Sequence, residues 1–267
     1  MHTAMLEYVT FSDGPVGTLA LLHATGFCKE VWKPVVEDLR GMNVEHDIVL
    51  WDQPGHGESP PGPEPVDWWD SATASLAVVG GRGEPVIGIG HSSGGAALAM
   101  AEILQPGTFA ALLLFEPIIF PPPYLPYEQG LYSATLTRRS EFESQEDALE
   151  HLRDRGAFRS WDERALRAYV DGALVDVDGR SHLRCAPATE ASYYRSAGLH
   201  EAWERLGEIS IPVRLVAGQH SDTHDVAFLG AQADRFSNAS WNVVPDVGHL
   251  FPMENPLATA RIIADFI

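Results

Sequence analysis

Six short apolar runs punctuate the chain: residues 18–23 (TLALLH), 47–51 (DIVLW), 86–89 (VIGI), 110–115 (AALLLF), 212–217 (PVRLVA) and 241–244 (WNVV). Runs of this length, bounded by glycine, proline or polar turns, predict strands, and those at 18–23, 86–89 and 110–115 read as buried, as in a parallel sheet. A further short strand is expected at residues 6–11, before a turn at 12–15. Between the runs the apolar spacing changes to the helical period. Val31, Trp32, Val35, Val36 and Leu39 form one such face, and Ala97, Leu98, Met100, Ala101 and Leu104 another. Helices are also predicted at about 66–79 and 226–236. Asn255 followed by Pro256 opens a last amphipathic helix carrying Ile262, Ile263 and Phe266. Strands alternating with crossovers of this length predict an α/β domain with a mostly parallel sheet flanked by helices.

The alternation lapses between residues 121 and 206. The interval opens on Pro121-Pro-Pro-Tyr-Leu-Pro126, and no strand pattern is evident until about residue 211. Ser144-x-x-Asp147 and Ser160-x-x-Glu163 each resemble a capping box. Ala165, Leu166, Tyr169 and Val170 make an apolar stripe, and a third helical stretch covers about 190–206. These features predict a core formed by residues 1–120 and 207–267, with a helical cap, or lid, inserted at 121–206.

Composition narrows the partners. The formal net charge is −19, with two lysines and sixteen arginines, which argues against nucleic acid or an anionic membrane. No apolar run approaches the roughly 18 residues of a membrane span, and the opening residues lack a signal-peptide pattern. The two cysteines, Cys28 and Cys185, have no metal-ligand spacing and read as free thiols. A cytoplasmic protein acting on a small molecule is expected. Its oligomeric state, a homodimer included, is left open.

The chemistry centres on Gly90-His91-Ser92-Ser93-Gly94. This is a G-x-S-x-G sequence between a predicted strand and a predicted helix, the context in which the central serine is presented on a sharp turn. A serine hydroxyl becomes a nucleophile only when a base takes its proton and a third group orients that base. Ser92 is the candidate nucleophile and His249, in the loop after the last core strand, the candidate base. Asp222, in the loop after the preceding strand, is the favoured acid, with Glu116 at the end of the 110–115 strand as the alternative. The N–H of Ser93 is the expected oxyanion donor. His220 and His224 lie in a loop with no helix to align them, and no metal or cofactor is expected.

LLHATGF, DQPGHGES, GHSSGG, GQHSD and VGHLFPMENP, in this order, resemble the motifs of the α/β-hydrolase fold. The resemblance runs from about residue 18 to 267. It implies a sheet of seven or eight strands, with seven favoured by the short segment before residue 18. It also implies a second oxyanion donor in the loop from His23 to Phe27, either Phe27 or an earlier residue of that loop, and supporting roles for His23 and His91. Relatives that open epoxides or remove halide carry aspartate at the nucleophile position, so Ser92 implies acyl transfer. The expected activity is hydrolysis of a small, largely apolar ester, thioester, lactone or amide. A carbon–carbon hydrolase or a perhydrolase would share the triad. A non-catalytic receptor on this fold is the rival reading, and such receptors usually lose a triad member.

Overall fold

The computed structural model describes residues 8–11, 16–80, 82 and 86–267. Residues 6 and 7 of the first expected strand, and the turn at 12–15, lie outside the described residues. In chain order the strands are β1 (Tyr8–Phe11), β2 (Thr18–Leu22), β3 (Asp47–Trp51), β4 (Val86–His91), β5 (Phe109–Phe115), β6 (Glu141–Phe142), β7 (Leu174–Val177), β8 (Arg180–Leu183), β9 (Val213–Gly218) and β10 (Ala239–Val244). The helices are α1 (Lys33–Gly41), α2 (Trp68–Val79), α3 (Ser93–Leu104), α4 (Leu131–Leu136), α5 (Gln145–Leu152), α6 (Glu163–Ala173), α7 (Pro187–Ser196), α8 (Val226–Ala233), α9 (Phe251–Glu254) and α10 (Pro256–Phe266).

Among the described residues, seven strands form the main sheet in the order β1-β3-β2-β4-β5-β9-β10. Six of them are parallel, and β1 runs antiparallel to β3 at the edge. Alternate residues of a strand face opposite sides, and both sides of β2, β3, β4, β5 and β9 are covered, whereas β10, at the edge, has no fully buried residue. Leu19, Leu21, Ile48, Leu50, Ile89, Leu113 and Phe115 pack with Val35 and Leu39 of α1 and with Ala260 and Ile263 of α10. Ala20, Leu22, Val49, Trp51, Leu112 and Leu114 pack on the other side with α2, α3 and α8. Burial on both faces is why these strands read as continuous apolar runs. Asn255 caps α10 as expected, its side chain accepting from the Ala258 N–H at 3.0 Å.

The interval 121–206 differs from the all-helical expectation. Besides α4 to α7 it contains a three-stranded antiparallel sheet in the order β6-β8-β7. The β7–β8 hairpin turns at Asp178 and Gly179, both with positive φ (53° and 80°). An Asp-Gly pair between alternating residues is a strong hairpin signal, and here it prevails over the helical spacing around it. Nor does the second capping box form as expected: the residue that caps α6 is Asp162, which accepts from the Arg164 N–H at 2.8 Å. Phe142, Leu149, Phe158, Trp161, Leu166 and Tyr169 of the interval join the same apolar cluster as Phe27, Trp32 and Leu39. The interval thus shares the core of the sheet domain. Among the described residues no helix is long and apolar enough to cross a membrane.

Candidate active site

Strand β4 delivers the chain to Ser92, whose backbone sits at φ 55°, ψ −118°. A non-glycine residue held at positive φ stores strain that only a well-determined surrounding sustains. Here the Ser92 N–H donates to the Phe115 carbonyl at 2.9 Å, and the Ser92 carbonyl accepts from Ile118 N–H at 3.2 Å. Close packing of the turn depends on its glycines. A Cβ on Gly94 would lie 2.5 Å from the carbonyl oxygens of both Leu22 and His23, and one on Gly90 would lie 2.5 Å from Gly95 Cα. Because the obstructing atoms are backbone, Gly94→Ala is expected to cost about 3 kcal/mol in stability. The urea midpoint would register this loss; an unchanged midpoint would mean that the turn relaxes freely.

Across from the elbow, His249 Nε2 lies 3.2 Å from Ser92 Oγ. The other ring nitrogen meets a different acid from the one expected. His249 Nδ1–H donates to Glu116 Oε2 at 2.6 Å. Asp222 is exposed and makes no hydrogen bond or ion pair among the described residues. The geometry follows from the sheet. β5 lies beside β4 with Phe115 opposite His91, so the residue after each strand, Glu116 and Ser92, emerges side by side at one rim.

The loop after β9, expected to supply the acid, instead supplies donors to one. Glu116 Oε1 accepts from the Gly218 N–H at 2.7 Å, while Oε2 accepts from the hydroxyls of Ser221 (2.6 Å) and Thr223 (2.8 Å) as well as from His249. Burial of Glu116 opposes its charge, but His224 and His249, together with Ser221, outweigh that cost and hold its pKa well below the ordinary carboxyl value. The sign for stability follows. A depressed carboxyl pKa stabilises the fold above the unfolded-state value near 4.5, and that contribution is lost as pH falls below it. Acid denaturation of Glu116→Gln should therefore be shallower than that of the natural chain. Equal steepness of the two acid limbs would show that Glu116 adds nothing to the pH dependence.

Glu116, His224 and His249 bring three potential ligand atoms within 4.8 Å of one another. The Thr223 hydroxyl stands among them, 2.8 Å from Glu116 Oε2 and 3.0 Å from Nδ1 of each histidine. It fills the space a cation would take, so the cluster reads as a hydrogen-bond network. The sequence motifs do not single out Ser221, Thr223 or His224 as site residues. Their one signal is the concentration of hydroxyl and imidazole groups in a loop at the sheet rim.

The flanking histidines hold backbone in place. His91 Nε2–H donates to the carbonyl of His249 at 2.9 Å, and burial, with His249 nearby, lowers its pKa to about 3. His23 donates from Nδ1 to the Ala24 carbonyl at 2.7 Å and accepts the Gln53 N–H on Nε2 at 3.1 Å. Burial lowers its pKa to about 4, so it is neutral at physiological pH. Gln53 Nε2 in turn donates to the His23 carbonyl (2.7 Å) and to Ser93 Oγ (2.9 Å), tying the two loops together. Beneath them the buried Lys29 ammonium is held by Asp52 (2.9 Å) and Glu58 (2.7 Å).

The loop from His23 to Phe27 also corrects an expectation. Phe27 N–H closes a turn onto the Ala24 carbonyl at 3.2 Å, so it is not directed at a substrate. Gly26 N–H is committed to His56 Nε2 at 3.0 Å. The N–H groups of Ala24 and Thr25 have no acceptor among the described residues. Ser93, the first residue of α3, presents a helix N-terminal N–H without an intrahelical partner.

Known proteins share this arrangement of elements. A family model described as "Alpha/beta hydrolase family" matches residues 19–262. The abhydrolase domain-containing protein ACTT2-1 of Alternaria alternata is 26% identical over 220 residues, covering 69% of this chain and 83% of that protein. The type I acyl-CoA thioesterase mpaH of Penicillium roqueforti (strain FM164) is 26% identical over 180 residues, 60% of this chain and 41% of that protein. Among solved structures, the peroxisomal alpha-beta-hydrolase Lpx1 of Saccharomyces cerevisiae superposes with a TM-score of 0.83 at 20% identity, covering 98% of this chain and 80% of that one. With the match extending over nearly all of the sheet and its helices, the chain belongs to the α/β hydrolase family and is a hydrolytic enzyme.

Proposed function

We propose that this chain is a serine hydrolase that cleaves a small, largely apolar ester or thioester through an acyl-enzyme, with Ser92 as nucleophile, His249 as base and Glu116 as acid. One observation carries the reading: the continuous hydrogen-bonded line from Ser92 Oγ through His249 to the buried carboxylate of Glu116. Glu116 accepts from Nδ1–H, which leaves Nε2 with its lone pair toward the serine. Ser92 Oγ attacks the substrate carbonyl and its proton passes to His249 Nε2. The developing oxyanion is met by the Ser93 N–H and by an N–H of the Ala24–Thr25 turn. His249 then protonates the leaving alcohol or thiol. In the second half, water gives its proton to His249 as it attacks the acyl carbon. The tetrahedral species then collapses to the carboxylic acid product while His249 returns the proton to Ser92 Oγ.

An apolar substrate is in keeping with the surroundings of the oxyanion loop, where Phe27, Phe158, Trp161 and Tyr169 are buried in the apolar core. Their rings contact one another with centroids 4.8 to 6.4 Å apart beside the oxyanion loop. The type I acyl-CoA thioesterase among the relatives brings acyl thioesters forward beside esters. Amides and lactones, and the carbon–carbon and perhydrolytic variants, use the same triad. A receptor role is disfavoured because nucleophile, base and acid are all present and in contact. The two buried free thiols, Cys28 and Cys185, suit a reducing compartment such as the cytoplasm, and the charge of −19 suits a protein without nucleic-acid partners.

The test is a panel of p-nitrophenyl acetate, butyrate and octanoate with acetyl-CoA and butyryl-CoA. Turnover of the shorter acyl groups that disappears in Ser92→Ala supports the reading. Absence of Ser92-dependent turnover across the panel would overturn it.

A further inference from the structure

A second charged network, unused by the triad, presses on the oxyanion loop. Gly26 has φ 82°, and a Cβ there would lie 2.6 Å from Glu190 Oε1 and 2.8 Å from Glu190 Cδ. The carboxylate of Glu190, on α7, therefore lies against the loop backbone next to Thr25. Glu190 is buried, at 4% exposure. Its Oε2 accepts from an Arg138 terminal nitrogen at 2.6 Å, and its Oε1 accepts from the Tyr194 hydroxyl at 3.4 Å. The other Arg138 terminal nitrogen donates to the Tyr169 hydroxyl at 3.3 Å. Arg138 and Glu190 are 52 residues apart in sequence, and both belong to the interval 121–206.

A buried negative charge in this position works against catalysis. The reaction builds negative charge on the substrate oxygen, and in a water-poor site a neighbouring carboxylate would oppose it strongly. A guanidinium paired to that carboxylate cancels the opposition. His56, the acceptor of the Gly26 N–H, cannot supply the compensation, because burial lowers its pKa to about 3 and it is neutral. We infer that Arg138 is a positioning residue of the hydrolytic site: it neutralises Glu190 against the oxyanion loop, so that the oxyanion forms beside a pair with no net charge. The inference rests on the serine-hydrolase reading above.

The test compares the natural chain with Arg138→Leu, Arg138→Lys, Glu190→Gln and the double variant Arg138→Leu/Glu190→Gln. Each is assayed on p-nitrophenyl butyrate at pH 8, with its thermal melt. Arg138→Leu should lower kcat by about 30-fold with KM nearly unchanged, since the harm falls on the transition state. Glu190→Gln, Arg138→Lys and the double variant should each stay within about threefold of the natural kcat. A merely structural pair would move the melts and leave the kcat of folded protein alone. If Arg138→Leu does not fold, the polar neutral Arg138→Gln takes its place and should show the same loss of about 30-fold, a kcat within about threefold of natural overturning the inference. A loss above about tenfold in Arg138→Lys or in the double variant overturns it as well. An Arg138→Leu with natural kcat, or a double variant as slow as Arg138→Leu, overturns it equally. Ester turnover that survives Ser92→Ala would instead overturn the serine-hydrolase reading itself.

Discussion

Ser92→Ala is expected to lower kcat on short p-nitrophenyl esters by about 10⁴-fold or more while leaving the melting temperature and circular dichroism unchanged. The substitution removes one oxygen and keeps the Cβ, so the strained elbow at φ 55° and its hydrogen bonds to Phe115 and Ile118 are untouched. No neighbour can replace the lost hydroxyl. Ser93 Oγ is already engaged by the Gln53 side chain at 2.9 Å and belongs to the helix that follows. What remains after the change is the oxyanion donors and substrate binding, which alone give modest acceleration over water. Steady-state kinetics on freshly purified protein, with the natural chain at equal concentration, measures the difference.

The second large effect separates the two acids. Glu116→Gln should reduce kcat by about 10³-fold or more, and Asp222→Asn should leave it within about a factor of three. A glutamine cannot satisfy the donors around Glu116. With its NH₂ at the Oε2 position it faces the Nδ1–H of His249 and both hydroxyls. The imidazole must then move its proton to Nε2, where it can no longer accept one from Ser92. With the amide turned over, the NH₂ faces the Gly218 N–H instead, and the imidazolium formed in the reaction has no counter-charge. Either orientation slows the chemical step. Asp222 is exposed, so its amide analogue changes only surface charge. The opposite ranking in kcat would return the acid to position 222.

The contrast between these two carboxylates marks how far the chain can be read unaided. Strands β2, β3, β4, β5 and β9 are legible because burial on both faces leaves continuous apolar runs. The elbow is legible because a serine flanked by glycines, with a strand before it and a helix after it, matches few turns of any other kind. Which acid faces His249 is not legible. Both strands end at the same rim, and the decision falls to side-chain direction within one short loop. Ser221 and Thr223 turn toward Glu116, and Asp222 between them turns out to solvent. Residue order cannot reveal such an alternation in a loop without regular structure. The same limit applies to Phe27, whose N–H is consumed by the turn to Ala24, a matter of a few backbone dihedrals. The β7–β8 hairpin has a signal in the Asp178-Gly179 pair, but helical periodicity on either side of it dominates the pattern. The Arg138–Glu190 contact joins distant segments of one interval and has no local signature.

The central claim is that Ser92 carries the acyl group. Its most direct measurement is intact-mass spectrometry of the protein treated with a fluorophosphonate, followed by peptide mapping. The account predicts one phosphonyl adduct per chain, located on Ser92, formed quickly by the natural protein and by Asp222→Asn, slowly by Glu116→Gln, and not at all by Ser92→Ala. An unlabelled natural protein, or an adduct that persists in Ser92→Ala, would contradict it.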